Sequence, residues 1–247
     1  MPLLSTAARC STRCEILGRG FTQGEVTRID RAIDRALGLA GRSAQRKLGA
    51  LSERYESGGR GAGTVSGGQG DPGGVSYGTY QLASRTGTAA KFVASEGKPW
   101  ARELRDAPGS SGFSAAWREI AVNNEPEAFG EAQHAFIKRT HYDPVVKAVR
   151  AKTGVDLDGF PHALRDVVWS LAVQHGGAAR IIQSAIAKAG AGDAGALIEA
   201  IYAERTAYVL RVAGRSGRAG RRTLESVTRN RYPAELRDAL AMLDADQ

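Results

Sequence analysis

The sequence predicts an α+β protein that is predominantly α-helical and carries a small β-sheet or hairpin beside a cleft. Apolar residues recur every three or four positions through most of the chain, which is the spacing of one helical face. A glycine-rich stretch, residues 58–78, interrupts this pattern, and a short stretch with two tyrosines, residues 75–82, overlaps its end. With 247 residues, 42% of them hydrophobic, the chain is long enough for one main core.

The N-terminal part divides into a leader and two helices. Residues 1–23 are polar, contain both cysteines and lack the long apolar core of a Sec signal, so we interpret them as a flexible leader. The cysteines are assigned no role. Over residues 24–55 the apolar spacing predicts two helices, broken near Gly41, that lead to Glu56. Residues 24–247 are predicted to form one domain that ends in a basic helical segment.

The glycine-rich stretch is predicted to be a functional loop. Residues 71–74 read Asp-Pro-Gly-Gly, which is typical of a turn, and residues 75–82 fit a brief strand. A loop of about twenty residues inside a compact domain is usually functional or disordered. Catalytic or binding residues are therefore expected in or beside it.

Helices are predicted for the rest of the chain. Pro126, Pro144 and Pro161 occupy first-turn positions, and Asp193 is a predicted N-cap. The predicted helices span residues 86–95, 113–123, 126–141, 144–152, 161–175, 178–189 and 193–212, with a further helix after Pro233.

Positive charge is concentrated near the C-terminus. The formal net charge is +8 and the isoelectric point is about 9.8, and from Arg205 to Arg237 there are nine arginines and two glutamates. Such a segment favours an anionic partner such as nucleic acid, lipopolysaccharide or acidic peptidoglycan, although a solvated helical face explains it equally well. The sequence contains no nucleic-acid-binding motif, so no specific nucleic-acid partner is expected. Charges or glycines interrupt every apolar run, which predicts no membrane span.

Two carboxylates flank the first part of the glycine-rich stretch. Glu56 ends the predicted helix beside Tyr55, where partial burial favours a protonated acid, whereas Asp71 lies among glycines, where water and backbone donors suit a base. Hydrolysis of a glycosidic bond by direct displacement needs an acid that protonates the leaving oxygen and a base that deprotonates water on the opposite face. Glu56 and Asp71 are therefore predicted as general acid and general base.

The letters around this pair resemble the lysozyme superfamily, specifically the chitosanase-like peptidoglycan hydrolase domains of phage lysins and type VI secretion spike effectors. The most specific match is YESGGRGAGTVSGGQGDPGGVSYGTYQ, residues 55–81. EAQHAFIKRTHYDP, residues 131–144, and WSLAVQHGG, residues 169–177, match less specifically. The resemblance covers residues 48–231 in all.

This resemblance implies a lysozyme-like fold and a role for several matched residues. Glu56, in the ESGG block, would donate the proton, and Asp71, in the GDPGG block, would activate water with inversion at the anomeric carbon. Ser76 occupies a position comparable to that of a hydroxyl that holds the attacking water, and Thr79 is the alternative. The resemblance implies no cofactor.

Other residues are predicted to contact the sugar. Tyr77 and Gln81 would stack on it or hydrogen-bond to it, while Tyr80 either joins them or packs in the core. Gln174 and His175 end a predicted helix and would reach the cleft from its opposite wall, unless they only cap that helix.

Three polar residues on or near one predicted helix are candidate metal ligands. These are Gln133, His134 and His141. No HExxH motif or cysteine cluster accompanies them, so hydrogen-bonded core histidines are favoured and no metal is predicted.

These observations favour a muramidase that cleaves β-1,4 bonds between MurNAc and GlcNAc, as an antibacterial effector or a phage-type lysin. A basic protein suits an anionic wall better than polycationic chitosan, so chitosanase is the alternative on the same fold. A nucleic-acid-binding or non-catalytic wall-binding protein is the alternative from another class. Synthesis in the cytoplasm without a Sec signal is expected, followed by delivery to the periplasm or cell wall by a secretion system or by lysis. A secretion-apparatus component and an immunity protein are the further predicted partners.

Overall fold

The computed structural model describes residues 47–57, 61–69, 71 and 73–246. The predicted leader and the predicted helices before residue 47 lie outside the described residues. Residues Leu48–Gln247 form one compact unit. This unit is mainly helical with a small antiparallel sheet, which confirms the predicted α+β, predominantly helical class.

The described chain begins with a short helix that leads to the predicted acid. Helix α1 spans Ala50–Ser52 and continues into a wider π-helical turn, Glu53–Ser57. Gly49 precedes α1 with φ 106°, a left-handed conformation that favours glycine. The carboxylate of Asp166 accepts hydrogen bonds from the backbone N–H groups of Gly49, Ala50 and Leu51. This distant side chain therefore caps the start of the helix.

The sheet has two short antiparallel strands, β1 (Ser76–Tyr77) and β2 (Leu82–Ala83). An isolated bridge between Val65 and Tyr77 adds a third segment from the glycine-rich stretch. Gly78 follows β1 with φ 72°, and a Cβ there would lie 2.1 Å from the Gln133 Oε1 atom. Only glycine fits this turn. The prediction of one brief strand or extended segment over residues 75–82 is corrected, because the chain reverses at residues 78–81, between Tyr77 of β1 and Leu82 of β2.

The remaining helices follow in chain order. Several α-helices pass directly into a π-helical turn, at Ile120–Asn124, Lys138–Tyr142 and Val227–Arg231. The α-helices are α2 (Thr88–Ala94), α3 (Ser111–Glu119), α4 (Pro126–Ile137), α5 (Asp143–Thr153), α6 (His162–Gln174), α7 (Ala178–Ala189), α8 (Ala194–Gly214), α9 (Arg218–Ser226) and α10 (Tyr232–Asp246).

Most predicted helix starts are confirmed. Pro126 and Pro144 lie in the first turns of α4 and α5, and the Asp193 carboxylate accepts a hydrogen bond from the Ala196 N–H as the N-cap of α8. Pro161 instead precedes the first residue of α6. The residues after Val212 form the end of α8 and then α9, so the basic segment is helical as predicted.

The core is built around α6 and an aromatic cluster. Residues 166–172 of α6 are all buried, and Trp169 stacks on the His134 ring with centroids 4.4 Å apart. The ring centroid of Trp117, in α3, lies 4.7 Å from that of Phe129 and 5.2 Å from that of Tyr77. Rings at these separations pack as favourable aromatic pairs. The β-hairpin is thereby fixed against the helical body.

Over the described residues, the search for a helix long and apolar enough to cross a membrane found none.

Candidate active site

Glu56 lies in the π-helical turn that follows α1. Side chains from distant helices contact α1 and this turn. At its start, the buried Asp166 caps α1. Burial raises the pKa of Asp166, while the three N–H donors oppose this shift. Near the turn's end, the Tyr55 hydroxyl donates to Asp238 Oδ2 at 2.6 Å, and Arg54 Nη1 lies 2.8 Å from the same oxygen. Contacts from α6 and α10 therefore fix the backbone that carries the predicted acid.

Burial and the hydrogen bond to Asp238 raise the pKa of Tyr55 to about 12. The Tyr55 hydroxyl therefore remains protonated at neutral pH and continues to donate this bond. The contact acts as a stable clamp rather than as a titrating group.

Asp71 lies in an exposed turn that leads into the sheet. Its Oδ1 accepts a hydrogen bond from the Gly73 N–H at 2.8 Å, and its backbone carbonyl accepts one from the Gly74 N–H at 2.9 Å. This is the local side-chain-to-backbone turn that aspartate favours. Gly74 has φ 77°, and a Cβ there would lie 2.6 Å from Ser84 Oγ. The glycines after Asp71 thus allow the turn to form.

The turn leaves part of the Asp71 carboxylate available. Among the described residues, only Oδ1 of this carboxylate has a hydrogen-bond partner. Asp71 lines a cavity of about 760 Å³ together with Gln69 and Arg85. A carboxylate at a cavity wall with one oxygen fixed and the other without a partner among the described residues is suited to hold and deprotonate a water molecule.

The structure places the other predicted sugar-contacting residues of the hairpin largely inside the fold. Ser76 is 5% exposed and Thr79 is 9% exposed. The Thr79 N–H donates to Gln133 Oε1 at 3.3 Å, and Gln81 Nε2 donates to the Gly78 carbonyl at 3.2 Å. These residues order the hairpin, and Gln81, which is partly exposed, retains access to solvent.

Tyr77 requires a correction. Its side chain is fully buried, and its hydroxyl accepts from the Gly109 N–H at 2.9 Å and pairs with Ser114 Oγ at 2.9 Å. Tyr77 therefore belongs to the core, while Tyr80 is partly exposed beside Trp169. The predicted contact of Tyr77 with the sugar is therefore wrong, while Tyr80 packs against the core, as one of the two alternatives for it had predicted.

Comparison with known proteins covers this whole region. A family model described as type VI secretion system spike protein VgrG3-like, C-terminal, matches residues 48–232. The chain belongs to this family. The type VI secretion system spike protein VgrG3 of Vibrio cholerae serotype O1 (strain ATCC 39315 / El Tor Inaba N16961) is 42% identical over 140 residues. The aligned part covers 56% of this chain and 13% of that protein, so the chain matches only a small part of its length.

The match to the VgrG3-like family includes the α1 turn, the hairpin and α9. It ends at the first residue of α10, so Asp238 and Glu235 lie beyond it. Asp166, Glu235 and Asp238 were all missed by sequence reasoning. The Asp166 and Asp238 partners on the α1 turn lie 115 to 183 residues away along the chain, and Glu235 reaches Ser170 over 65 residues, so no local pattern could identify these contacts.

The predicted Gln174 and His175 of this VgrG3-like domain belong to a buried polar cluster. The Tyr232 hydroxyl donates to Gln174 Oε1 at 2.9 Å and lies 3.0 Å from His175 Nε2. Arg205 also donates to Gln174. Burial, with Arg205 and Arg231 nearby, lowers the pKa of His175 to about 4. These contacts stabilise the end of α6 and agree with the alternative prediction that the two residues cap this helix. Neither residue lines the Asp71 cavity.

A buried ion pair lies at the centre of that cluster. Arg205 and Glu235 are both fully buried, with 3.2 Å between Nη1 and Oε1. Glu235 also accepts from Ser170 and pairs with Arg231 at 3.0 Å, and these positive neighbours lower its pKa against the effect of burial. The Arg231 guanidinium lies 5.8 Å from the centre of the Tyr55 ring. Arg231 is thus the basic residue that reaches the α1 turn.

The residues weighed as metal ligands have other partners. Gln133 Nε2 donates to the Ala62 carbonyl at 3.2 Å, His134 Nε2 lies 2.9 Å from the Leu48 carbonyl, and the His141 Nδ1 atom lies 2.7 Å from Thr140 Oγ1. Within the described ranges, no group of three metal-ligating side chains was found. The contacts support the hydrogen-bonded interpretation of the histidines.

Proposed function

We propose that this chain is a peptidoglycan hydrolase, a muramidase that cleaves β-1,4 MurNAc–GlcNAc bonds with inversion. The observation that carries the proposal is the half-free carboxylate of Asp71 at a 760 Å³ cavity. The clamped turn that bears Glu56 supports it. Membership of the VgrG3-like family agrees with the resemblance of residues 55–81 to wall hydrolases.

In the proposed reaction Glu56 and Asp71 act on opposite faces of the sugar. Glu56 gives its proton to the glycosidic oxygen as the C1–O bond breaks, and Asp71 takes a proton from the water that attacks C1. Protonated Glu56 becomes a carboxylate and Asp71 becomes an acid, so the two groups exchange protonation states and water restores both. An inverting pair is expected to lie about 6.5–9.5 Å apart, which leaves room for that water.

The family description also supports a delivery route. The family model and the Vibrio cholerae relative are both named for a type VI secretion spike protein. We propose that a type VI apparatus delivers this domain to the periplasm of a target bacterium. A wall-degrading effector endangers its producer, so an immunity protein that blocks the cleft is the expected partner.

Digestion of purified peptidoglycan tests the proposal. Wild-type protein should release muropeptides with reducing MurNAc ends by mass spectrometry, and Glu56→Gln and Asp71→Asn should each abolish this release. Glu127→Gln and Asp244→Asn are matched controls, because both carboxylates are exposed and make no described ion pair.

The same assay separates the alternatives. The first product from a β-linked substrate should be the α anomer, and a β anomer would contradict an inverting pair. Cleavage of chitosan but not peptidoglycan would identify a chitosanase. No cleavage of either polymer would refute the hydrolase proposal.

A further inference from the structure

A second pocket lies between α7 and α8, apart from the cavity beside Asp71. Its volume is about 360 Å³, which is the size of small-ligand sites rather than of a polymer groove. The residues at its wall that bear on a ligand are Gly177, Arg180, Ser184, Glu204, Tyr208 and Arg211.

The pocket has an excess of unneutralised positive charge. The Glu204 carboxylate is already occupied, because Oε1 accepts from Lys188 Nζ at 2.5 Å and Oε2 from Ser184 Oγ at 2.7 Å. Arg180 and Arg211 are exposed, and among the described side chains neither forms an ion pair within 4.0 Å. Two guanidinium groups therefore line the pocket with one carboxylate, Glu204, whose oxygens bond to Lys188 and Ser184 and whose pKa Arg211 also helps to lower.

The wall of the pocket also has an ordered aromatic ring. Tyr208 is half-buried, and the His175 ring meets it edge-on at 5.6 Å. His175 Nε2 lies 3.0 Å from the Tyr232 hydroxyl. Arg231, which precedes Tyr232 in the chain, lies against the Tyr55 ring. A chain of direct contacts thus joins this pocket to the turn that carries Glu56.

We propose that this pocket binds a free carboxylate of a stem peptide attached to the glycan strand, a step that rests on the proposed function. Arg180 and Arg211 would receive the carboxylate, since the guanidinium fork matches it in bidentate geometry. Tyr208 would pack against the apolar part of the peptide. A neutral sugar would need neither cation, so the charge identifies the peptide rather than the glycan as the ligand.

Isothermal titration with two soluble fragments tests this site. The probes are a GlcNAc–MurNAc disaccharide that carries its stem peptide and the same disaccharide with its lactyl carboxyl group capped as the simple amide, which leaves no carboxylate. Titrations use full-length wild-type protein, because a GlcNAc–MurNAc disaccharide contains no MurNAc–GlcNAc bond for the proposed muramidase to cleave. The peptide-bearing fragment should bind about fivefold more tightly, as expected for two partly exposed charge contacts.

The double substitution Arg180→Gln/Arg211→Gln should remove that preference, while the matched control Arg102→Gln/Arg105→Gln should retain it. Equal affinity of the two fragments for the unsubstituted site, or an equal loss in both double variants, would overturn the proposal. Displacement of the peptide by equimolar inorganic phosphate would show a general anion site and also overturn it.

The outcome is separable from that of the proposed function. If peptide-selective binding is observed but wild-type protein cleaves no wall, the subsite stands and the hydrolase proposal fails. If the wall is cleaved without peptide selectivity, the reverse holds.

Discussion

Replacement of Asp166 by asparagine should destabilise the start of α1, the helix that leads into the turn that carries Glu56. The Asp166 carboxylate is fully buried and accepts from three backbone N–H groups, of Gly49, Ala50 and Leu51. Asparagine has one acceptor oxygen, so it can keep the bonds on one side while its NH₂ group faces the Leu51 N–H. One buried donor is then left without an acceptor and opposes a second donor.

The magnitude follows from those bonds. Loss of one charge-assisted bond costs about 1.5–3 kcal/mol, and a buried unpaired donor costs about 1–3 kcal/mol. Removal of the desolvated charge offsets part of this cost, because burial already raises the pKa of Asp166. We expect a net loss of about 3 kcal/mol in the free energy of unfolding, which lowers Tm by about 6–12 °C in a domain of this size.

Urea denaturation followed by circular dichroism measures this loss, with Asp244→Asn as the exposed control. Hydrolysis of peptidoglycan should fall as well, because the backbone before Glu56 loses its anchor. A change below about 0.5 kcal/mol, which is typical of a surface substitution, would refute the assignment of Asp166 as the cap of this helix.

Three further predictions follow from single contacts. Gly78→Ala should lower the free energy of unfolding by about 3 kcal/mol, measured by urea denaturation. The added Cβ would lie 2.1 Å from Gln133 Oε1, and the backbone there has a positive φ. Unchanged stability would contradict this packing. Arg205→Gln should cost about 3 kcal/mol by the same assay, since Glu235 stays charged and buried with Arg231 as its remaining cation, whereas a loss no larger than that of an exposed arginine would contradict a buried pair. The pKa of His175 is lowered from 6.5 to about 4. Between these two pH values the unfolded chain binds a proton that the folded chain does not, so the free energy of unfolding should rise with pH across that window. His175→Gln should flatten this rise.

The helices could be predicted because their apolar spacing is local. Residues 178–189 were predicted and observed as α7 with the same bounds. The predicted helix 126–141 instead ends as α4 at Ile137 and continues as a π-helical turn. An apolar period read over five residues does not distinguish a turn of 3.6 residues from a wider one, so sequence locates these helices better than it locates their ends.

The site was only partly predictable. The turn at Asp71 could be predicted because Asp-Pro-Gly-Gly encodes its own geometry through a side-chain bond to the Gly73 N–H and a left-handed glycine, Gly74. The burial of Tyr77 could not be predicted, since two-residue strands are too short to show an alternating pattern. Which tyrosine is buried depends on Trp117 and Phe113, whose rings pack on Tyr77 from a helix far along the chain.

The C-terminal charge shows most clearly why composition cannot decide function. Nine arginines lie from Arg205 to Arg237, and a net charge does not distinguish the buried ones from the exposed ones. The structure separates them: Arg205 is buried against Glu235, and Arg231 joins Glu235 to the Tyr55 ring. The others are exposed. The buried pair and Arg231 support the turn of the predicted acid, so a substitution there should affect folding and catalysis together. Arg229 pairs with Glu225 at the surface, a contact that contributes little to stability. Substitution of the exposed arginines should therefore act mainly on encounters with an anionic partner, and a salt-dependent loss of wall binding without loss of stability is the behaviour that would distinguish them.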